Sequence, residues 1–410
     1  MRTNVTRPRF PRVLRPFTWL VLLVLCCAAL LAPVCDGGSK TESWTFPDAC
    51  ETGPVDEACF VSKRDPQSDR IALALEIALR YIALHPAPEQ PWDWGPATVM
   101  FSLTELYRVT GDPRLRDYYQ AWMDHHIAVG YDLFWSDHCP PSLTALALYQ
   151  ETGDPAYEAV VSDIMTYLFA EAPRIDGGIS HMGTMTVLGD TLWLDSLFMF
   201  GMILTRWGEH TGDRTFLDEI RAQFLVFADL LQEEPGFLVH AYNWPNPQDP
   251  DVYWARGNGW VTASGFEYLR VKRNRGEGGD ADVEALLAWQ LEAIRQSQDA
   301  DTGLWWTVLN RPGETYLETS ATALFAYGMA RGYRYGFLDD TFLPVVAAAM
   351  EGVEANILRD ASDLPYVSDI SGPTTAGDFR NYEDVALGDD ISYGVGAVIL
   401  ALIETSGLMQ

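Results

Sequence analysis

Two aspartates occupy positions from which a carboxyl group could exchange a proton with a substrate. Asp195 lies in TLWLDSLFMF, among apolar side chains that would partly remove it from water. Desolvation raises the pKa of a carboxyl group and makes it a plausible proton donor near neutral pH. Asp137, in FWSDHCPPS, is the best candidate for a second carboxylate. Each Asp could instead be an ordinary helix N-cap with no chemical role.

A second set of candidates lies between Asp251 and Tyr268, where the chain reads DVYWARGNGWVTASGFEY. Arg256 offers a two-pronged donor to a carboxylate, and the amides of a helix N-terminus add positive potential there. Trp254 and Trp260 supply flat apolar faces for a pyranose ring. The alternative is structural: Gly-Asn-Gly is then a turn or N-cap, and both tryptophans belong to the core.

The remaining polar candidates are weaker. His240, in GFLVHAYNW, could bind a hydroxyl or a carboxylate, although a lone histidine is more often structural. The seven histidines show no H-x-x-x-H spacing and the cysteines no C-x-x-C spacing, so we expect neither a metal site nor a cofactor. Cys139 is expected to be a buried or free thiol. The chain has no nucleophile elbow, P-loop or dinucleotide fingerprint, which argues against serine hydrolases, kinases and dehydrogenases.

The elements that must position these side chains are helical. Beyond residue 66 nearly every apolar run has helical spacing, and β-type alternation is scarce. The spacing predicts twelve helices, over residues 67–84, 95–109, 113–128, 141–151, 155–170, 193–210, 214–233, 258–272, 281–298, 318–333, 340–357 and 390–406.

The connections between these helices alternate in kind. Three of them are Thr-Gly-Asp turns, at residues 110–112, 152–154 and 211–213, with Gly suited to end one helix and Asp to cap the next. The other connections are longer and rich in Trp, Asp, His and Gly. Short turns on one side and long polar-aromatic loops on the other predict an all-α fold, an (α/α) six-hairpin barrel or toroid. An open solenoid of helix pairs is the alternative.

The distinctive residues all fall where an even-numbered helix begins. They are Trp92-Asp93-Trp94, Asp137-His138, Trp193 with Asp195, Arg256 to Trp260, Tyr316 to Thr319, and Asp389-Asp390 with Tyr393. If the even helices form an inner ring, these ends converge on one mouth, where the helix dipoles add a positive potential. Capping explains each Asp but not the accompanying Trp, His and Arg.

The first 35 residues predict an export signal. Five arginines precede the apolar run TWLVLLVLCCAALLAPV, which is short for a membrane span, although an uncleaved anchor is the alternative. Cys35 follows the run as in lipoprotein processing sites, so a leader or a lipid on Cys35 is the expected membrane contact. We expect a linker over 36–66, a catalytic barrel over 67–410, and a periplasmic, envelope-attached or secreted bacterial protein. Cys50 and Cys59 could close a small disulfide loop.

The net charge restricts the class of partner. The 410 residues include 28 basic and 57 acidic ones, giving a formal net charge of −29. Such a surface should repel nucleic acid, anionic membranes and long polyuronates. A short acidic oligosaccharide is therefore the expected substrate.

Four motifs in order, from about Trp92 to Glu404, carry a family resemblance. WLDSLFM, GFLVH, WARGNGW, and GLWWTVL followed by YLETSATALFAY resemble the unsaturated glucuronyl and rhamnogalacturonyl hydrolases, glycoside hydrolase families 88 and 105. The resemblance implies a six-hairpin α/α barrel. It also implies hydration of the 4,5 double bond in an unsaturated uronic acid, at the non-reducing end of lyase products. The hemiketal that forms then opens, and the glycosidic bond is lost.

The resemblance also implies residue roles. Asp195 would protonate the alkene carbon and then deprotonate the attacking water, with Asp137 as the second carboxylate. Arg256 would pair with the uronate carboxylate, and Trp193 would pack against the sugar. The substrate contacts implied are His240, Arg256, Trp260, Trp193 and His181, the last of which lies fourteen residues before Asp195.

Two other functions fit the same residues. One is ordinary inverting hydrolysis of an intact glycosidic bond, with Asp137 and Asp195 as an acid and base pair. The other is a non-catalytic envelope protein that binds acidic sugars. The first requires activity on saturated oligosaccharides, and the second requires binding without turnover.

Overall fold

The computed structural model describes residues 64–185 and 189–408. The predicted leader, most of the predicted linker, and the cysteines at 35, 50 and 59 lie outside the described residues. The first described helix begins at Asp69.

Twelve helical stretches appear where the sequence predicts them. The helices are α1 Asp69–Leu84, α2 Trp94–Thr110, α3 Pro113–Val129, α4 Pro141–Thr152, α5 Pro155–Thr166, α6 Ser196–Met199, α7 Gly201–Thr211, α8 Arg214–Leu231, α9 Ala255–Asn274, α10 Ala281–Gln296, α11 Thr319–Arg334, α12 Leu343–Ala355, α13 Phe379–Glu383 and α14 Ser392–Thr405. The predicted sixth helix is divided at Phe200 into α6 and α7. The short α13 lies in a long loop in which no helix was predicted.

Six of these stretches form a closed inner ring. In order around the ring they are α2, α4, α6 with α7, α9, α11 and α14, and α14 packs against α2 to close it. The closing contact is tight, since a Cβ on Gly396 would lie 2.8 Å from the backbone of Thr98. The other long helices pack outside the ring. The six-hairpin barrel is therefore confirmed, and the open solenoid is excluded because its ends would not meet.

The three Thr-Gly-Asp turns behave as their sequence predicts. Gly111, Gly153 and Gly212 adopt left-handed φ values of 66°, 69° and 74°, which glycine tolerates without strain. The Asp that follows each glycine accepts a hydrogen bond from an amide in the first turn of the next helix. These compact joints lie at the C-terminal ends of inner helices and leave the long loops at the opposite ends.

Short strands tie the long loops together in antiparallel pairs. The pairs are β1 Arg174–Ile175 with β2 Gly178–Ile179, β3 Leu192–Trp193 with β4 Ala241–Tyr242, β5 Trp305–Trp306 with β6 Leu317–Glu318, β7 Ile357–Arg359 with β8 Pro365–Val367, and β9 Ile370–Ser371 with β10 Leu387–Gly388. Strands of two or three residues are too short to show an alternating pattern, and none of them was predicted.

A buried network of charges joins the inner helices near their C-terminal ends. Glu267 on α9 lies 2.7 Å from Nε of Arg206 on α7, 2.9 Å from Arg270, and also pairs with Arg331 on α11. The network extends to Glu105 on α2 through Arg206, at 2.7 Å. On α14, Glu404 accepts from Arg331, also at 2.7 Å, and from Arg64.

The arginines keep these buried carboxylates ionised. Burial alone would raise the pKa of Glu267, but the charges of Arg206, Arg270 and Arg331 bring it well below its ordinary value. For Glu404, the neighbouring arginines outweigh burial and lower the pKa to about 2. A guanidinium left without its carboxylate here would be a buried, uncompensated charge.

Replacing Glu267 with Gln should destabilise the barrel by about 3–5 kcal/mol, because it removes one carboxylate from among three arginines. Urea denaturation followed by circular dichroism at pH 7 measures this. The matched control is Glu292→Gln, which removes the exposed partner of Arg295 and should leave the midpoint almost unchanged. Equal effects of the two substitutions would contradict a central role for the network.

The same network predicts acid sensitivity. The folded-state pKa values of Glu267 and Glu404 are lowered below the unfolded value, which is about 4.3. Their contribution to stability is therefore fully present above that pH and is lost as the pH falls towards 2. Thermal melts of the wild type between pH 7 and 3 should show a falling midpoint below about pH 4.5, and the Glu267→Gln variant should show a smaller fall.

Candidate active site

Backbone hydrogen bonds bring the two predicted carboxylates to one place. Asp137 lies in a 3-10 turn, Ser136–His138, whose first amide donates to the carbonyl of His181 at 2.9 Å. Asp195 directly precedes α6, and β3 with β4 holds the chain before it. The imidazole of His181 lies between the two carboxyls, with Nε2 3.8 Å from Asp137 Oδ1 and Nδ1 4.0 Å from Asp195 Oδ1. Both distances are too long for hydrogen bonds.

The Asp195 carboxyl is not a helix cap. Its side chain makes no capping hydrogen bond, and its buried Oδ1 has no hydrogen-bond partner. Burial raises the pKa of Asp195 to about 7, although the charge of Arg256 and the first amides of the helix offset part of the rise. A carboxyl group with a pKa near 7 can both donate and accept a proton at neutral pH.

The pKa of Asp137 is raised as well. Burial raises its pKa well above the ordinary value, and the negative charges of Asp195 and Asp93 raise it further. Asp93 caps α2 by accepting from the amide of Trp94 at 2.9 Å, and burial raises its pKa as well. The sequence placed Asp93 at this mouth but did not single it out as a site residue.

His181 acts as a neutral spacer between the carboxyls. Burial lowers its pKa to about 3, so the ring carries no charge at neutral pH. Its Nδ1 is hydrogen-bonded to Ser196 Oγ at 2.8 Å, and its ring stacks on Trp193 at 4.6 Å with planes 1° apart. The orientation of the imidazole is therefore fixed from two sides.

A small apolar cluster, separate from the main core, lies beside this pair. It contains Met182, Trp193, Ala241 and Ala376, with Trp135, Met185 and Trp244 partly exposed at its edge. The indole of Trp244 meets that of Trp193 edge to face at 5.0 Å. Half-buried indoles suit the apolar face of a sugar ring. Trp135 and Trp244 were missed, although each lies within four residues of a predicted site residue.

The WARGNGW string is helical from Ala255 onwards, three residues earlier than predicted. Gly-Asn-Gly is therefore not a turn or an N-cap. Gly257 is required because a Cβ there would lie 2.7 Å from Leu194, and one on Gly259 would lie 2.9 Å from Leu324. The Asn258 amide exchanges two hydrogen bonds of 2.9 Å with the backbone of Leu238. These contacts hold the loop that carries His240.

Arg256 lies beneath the mouth, and both of its terminal nitrogens, Nη1 and Nη2, donate hydrogen bonds within the protein. Its guanidinium is sandwiched between Trp254 and Tyr393, 4.7 Å from each ring centre. Nη1 donates to the carbonyl of Ser371 and Nη2 to that of Gly372, both at 2.9 Å, whereas the buried Nε has no partner. The structure thus gives Arg256 a structural contact, and its pairing with a substrate carboxylate stays a prediction.

Trp260 and His240 occupy different depths. Trp260 is completely buried and packs against Phe198 at 4.4 Å, so it supports the site from below and offers no exposed face. It also meets the half-buried Trp94 edge to face at 6.4 Å, and its contact with the sugar stays a prediction. His240 stacks on Trp254 at 4.3 Å, its Nδ1 lies 2.9 Å from Tyr382 Oη, and its buried Nε2 has no partner.

Within residues 64–185 and 189–408, no group of three or more His, Cys, Asp or Glu side chains could hold a metal ion. No helix in the same residues is both long and apolar enough to cross a membrane. Cys139 is a buried free thiol, as predicted.

Comparison with known proteins gives consistent results. The model of Glycosyl Hydrolase Family 88 matches residues 78–409. An unsaturated rhamnogalacturonyl hydrolase of Bacillus subtilis is 27% identical over 270 residues, covering 63% of this chain and 76% of the relative.

Solved structures agree with the fold. A possible member of the GH105 family from Klebsiella pneumoniae superposes with a TM-score of 0.72 and 25% identity, over 82% of this chain and 93% of that one. An unsaturated glucuronyl hydrolase from Bacillus sp. GL1 superposes with a TM-score of 0.63 and 19% identity, over 81% and 95%. The resemblance carried by the four motifs is confirmed, and the chain belongs to glycosyl hydrolase family 88.

Proposed function

We propose that this protein removes the 4,5-unsaturated uronic acid from the non-reducing end of short, lyase-generated oligosaccharides. One observation carries the proposal: the buried carboxyl of Asp195 has no partner on Oδ1, has a pKa near 7, and faces a second buried carboxyl, whose pKa is also raised, across a neutral imidazole. The names of the Bacillus subtilis relative and of the Bacillus sp. GL1 structure indicate the same substrate class.

The chemistry follows from the protonation states. Asp195 in its acid form transfers its proton to carbon four of the enol ether, and positive charge develops at carbon five and the ring oxygen. The carboxylate left on Asp195 then accepts a proton from water as the water oxygen bonds to carbon five. The hemiketal opens to a ketone at carbon five, and the former ring oxygen becomes a hydroxyl on carbon one. This hemiacetal collapses to an aldehyde, and the next sugar leaves as an alcohol with the proton of that hydroxyl. Asp195 ends in the acid form in which it began.

Asp137 contributes as a hydrogen-bond donor. Burial and the negative charges of Asp195 and Asp93 raise its pKa, which favours the protonated form of Asp137 when Asp195 is ionised. A neutral Asp137 also avoids two adjacent negative charges when Asp195 is ionised. Asp137 can therefore orient the substrate or the attacking water without competing as a base.

The surroundings support a small acidic sugar. The indoles of Trp135, Trp193 and Trp244 supply apolar faces, and Arg256 supplies positive charge beneath the carboxylates. We assign to Arg256 the contact with the uronate carboxylate, which its unpartnered Nε could begin. The net charge of −29 disfavours long polyanions. The leader over residues 1–35 supports the further proposal that the enzyme acts outside the cytoplasm.

Asp195→Asn should abolish turnover, with a fall in kcat/KM of about a thousandfold or more, because the amide cannot donate and recover the proton. Loss of the ultraviolet absorbance of an unsaturated disaccharide measures the rate. The control is Asp213→Asn, the same chemical change at a turn whose capping role Asn retains. Activity of Asp195→Asn within tenfold of the wild type, with both variants folded, would overturn the assignment.

The pKa of Asp195 also predicts the pH profile. The reacting form is the protonated acid, so kcat/KM should decline as the pH rises through about 7. The profile of kcat/KM reports the free enzyme, in which this pKa applies. A decline centred near pH 4, where an ordinary carboxyl titrates, would contradict the burial argument.

A further inference from the structure

A long loop between α12 and α14 lies over the mouth of the barrel. We call residues 371–384 of this loop the covering segment; it includes α13. Hydrogen bonds from several elements fasten it: Arg256 donates to the carbonyls of Ser371 and Gly372, Trp244 Nε1 donates to the carbonyl of Ala376 at 3.0 Å, and Asp249 accepts from the amide of Phe379 at 2.8 Å. The covering segment thereby places Tyr382 directly against His240.

The contact between Tyr382 and His240 is buried on both sides. Each residue is only 1% exposed, and Tyr382 Oη lies 2.9 Å from Nδ1 of His240.

Two arrangements of hydrogen are possible between Tyr382 and His240. If Nδ1 of His240 carried the hydrogen, Tyr382 Oη would accept it, the phenol hydrogen would have no acceptor among the contacts of the described residues, and the buried Nε2 would have no donor. A buried donor without an acceptor is unfavourable. If Tyr382 donates to Nδ1 instead, the phenol hydrogen is satisfied, and Nε2, which then carries the ring hydrogen, is the one group of the pair left without a partner among the described residues.

The second arrangement determines the tautomer of His240. A neutral imidazole carries one hydrogen, so a Nδ1 that accepts from Tyr382 leaves the hydrogen on Nε2. The ring is neutral because burial, together with nearby His181 and Arg256, brings its pKa well below the ordinary value. Nε2 is buried, has no partner in the protein, and belongs to a ring that meets Trp193 of the site edge to face at 4.9 Å.

We propose that Tyr382 is a positioning residue that fixes His240 in the Nε2–H tautomer, so that His240 presents a hydrogen-bond donor to an oxygen of the bound uronic acid. The tautomer depends only on contacts within the protein. The identity of the acceptor rests on the proposed function.

The tautomer can be observed without a substrate. The full chain is labelled with 15N-histidine, long-range 1H–15N correlation spectra are recorded at pH 7, and His240 is assigned by comparison with His240→Gln. We expect a bare ring nitrogen at Nδ1 and a hydrogen-bearing one at Nε2. A hydrogen on Nδ1, alone or together with one on Nε2, would overturn the proposal.

A substitution then tests the role of the tyrosine. Tyr382→Phe removes one hydrogen bond, so His240 should show a mixture of tautomers and KM for an unsaturated disaccharide should rise about fivefold. The value of kcat should change by less than about twofold, because the lost contact holds the substrate in both its ground and transition states. An unchanged tautomer with unchanged KM would refute the role of Tyr382.

The matched control is Tyr316→Phe. Tyr316 Oη is bonded to Ser371 Oγ at 2.8 Å and to the carbonyl of Tyr382 at 3.2 Å, so it braces the covering segment without touching His240. This variant should keep both the tautomer and KM. An equal rise of KM in the two variants would mean that loosening of the covering segment is the cause, and would contradict a specific role for Tyr382.

The two proposals can fail separately. If the wild type shows the Nε2–H tautomer but does not consume unsaturated disaccharides, the proposed function fails and the positioning by Tyr382 stands. If it consumes them but carries the hydrogen on Nδ1, the positioning fails and the function stands.

Discussion

Closure of the inner ring is the constraint on which the rest of the structure depends. The six inner helical stretches run in the same direction, because each is joined to the next through an outer helix. All their N-terminal ends must therefore meet at one face, and all their C-terminal ends at the other. Side chains widely separated in sequence become neighbours at each face. Asp137 and Asp195 flank one imidazole at the first face, whereas Glu267 and Glu404 share Arg331 towards the second.

The pKa values of the buried carboxyl groups are shifted in opposite directions at the two faces. Near the C-terminal ends each carboxylate is paired with arginines, whose charges outweigh desolvation and keep it ionised. At the N-terminal face Asp195 has no ion pair, so desolvation dominates and raises its pKa to about 7. His181 between the carboxyls is too buried to become a cation at neutral pH. At the C-terminal face the buried ion pairs stabilise the fold. At the N-terminal face the same low-polarity surroundings give an unpaired carboxyl the raised pKa of a proton donor.

The local patterns of the sequence were enough to predict the ring and much of the site. Helical spacing gave the twelve stretches, the Thr-Gly-Asp turns showed which connections are short, and the helix starts placed Asp137 and Asp195 at one mouth. The start of α9 was misplaced by three residues because glycines usually mark the end of a helix. Glycine stands inside this helix at 257 and 259 because Leu194 and Leu324 leave no room for a Cβ.

Other features depend on contacts that no local pattern records. Nothing near Tyr382 in the sequence shows that its loop folds back over His240, more than a hundred residues earlier. Glu267 and Arg270, three residues apart, look like an ordinary surface pair on a helix, and only the closed ring shows that both are buried. The positions of Trp135 and Trp244 beside the carboxyl pair likewise depend on the pairing of loops around β3 and β4.

The central claim is that the carboxyl pair acts on a double bond and not on an intact glycoside. The most direct measurement supplies the wild-type enzyme with an unsaturated disaccharide and, separately, with its saturated counterpart at the same concentration. Ultraviolet absorbance and release of the leaving sugar are followed together. We expect one leaving sugar for each double bond lost, and no release from the saturated compound. Comparable release from the saturated disaccharide would contradict the account.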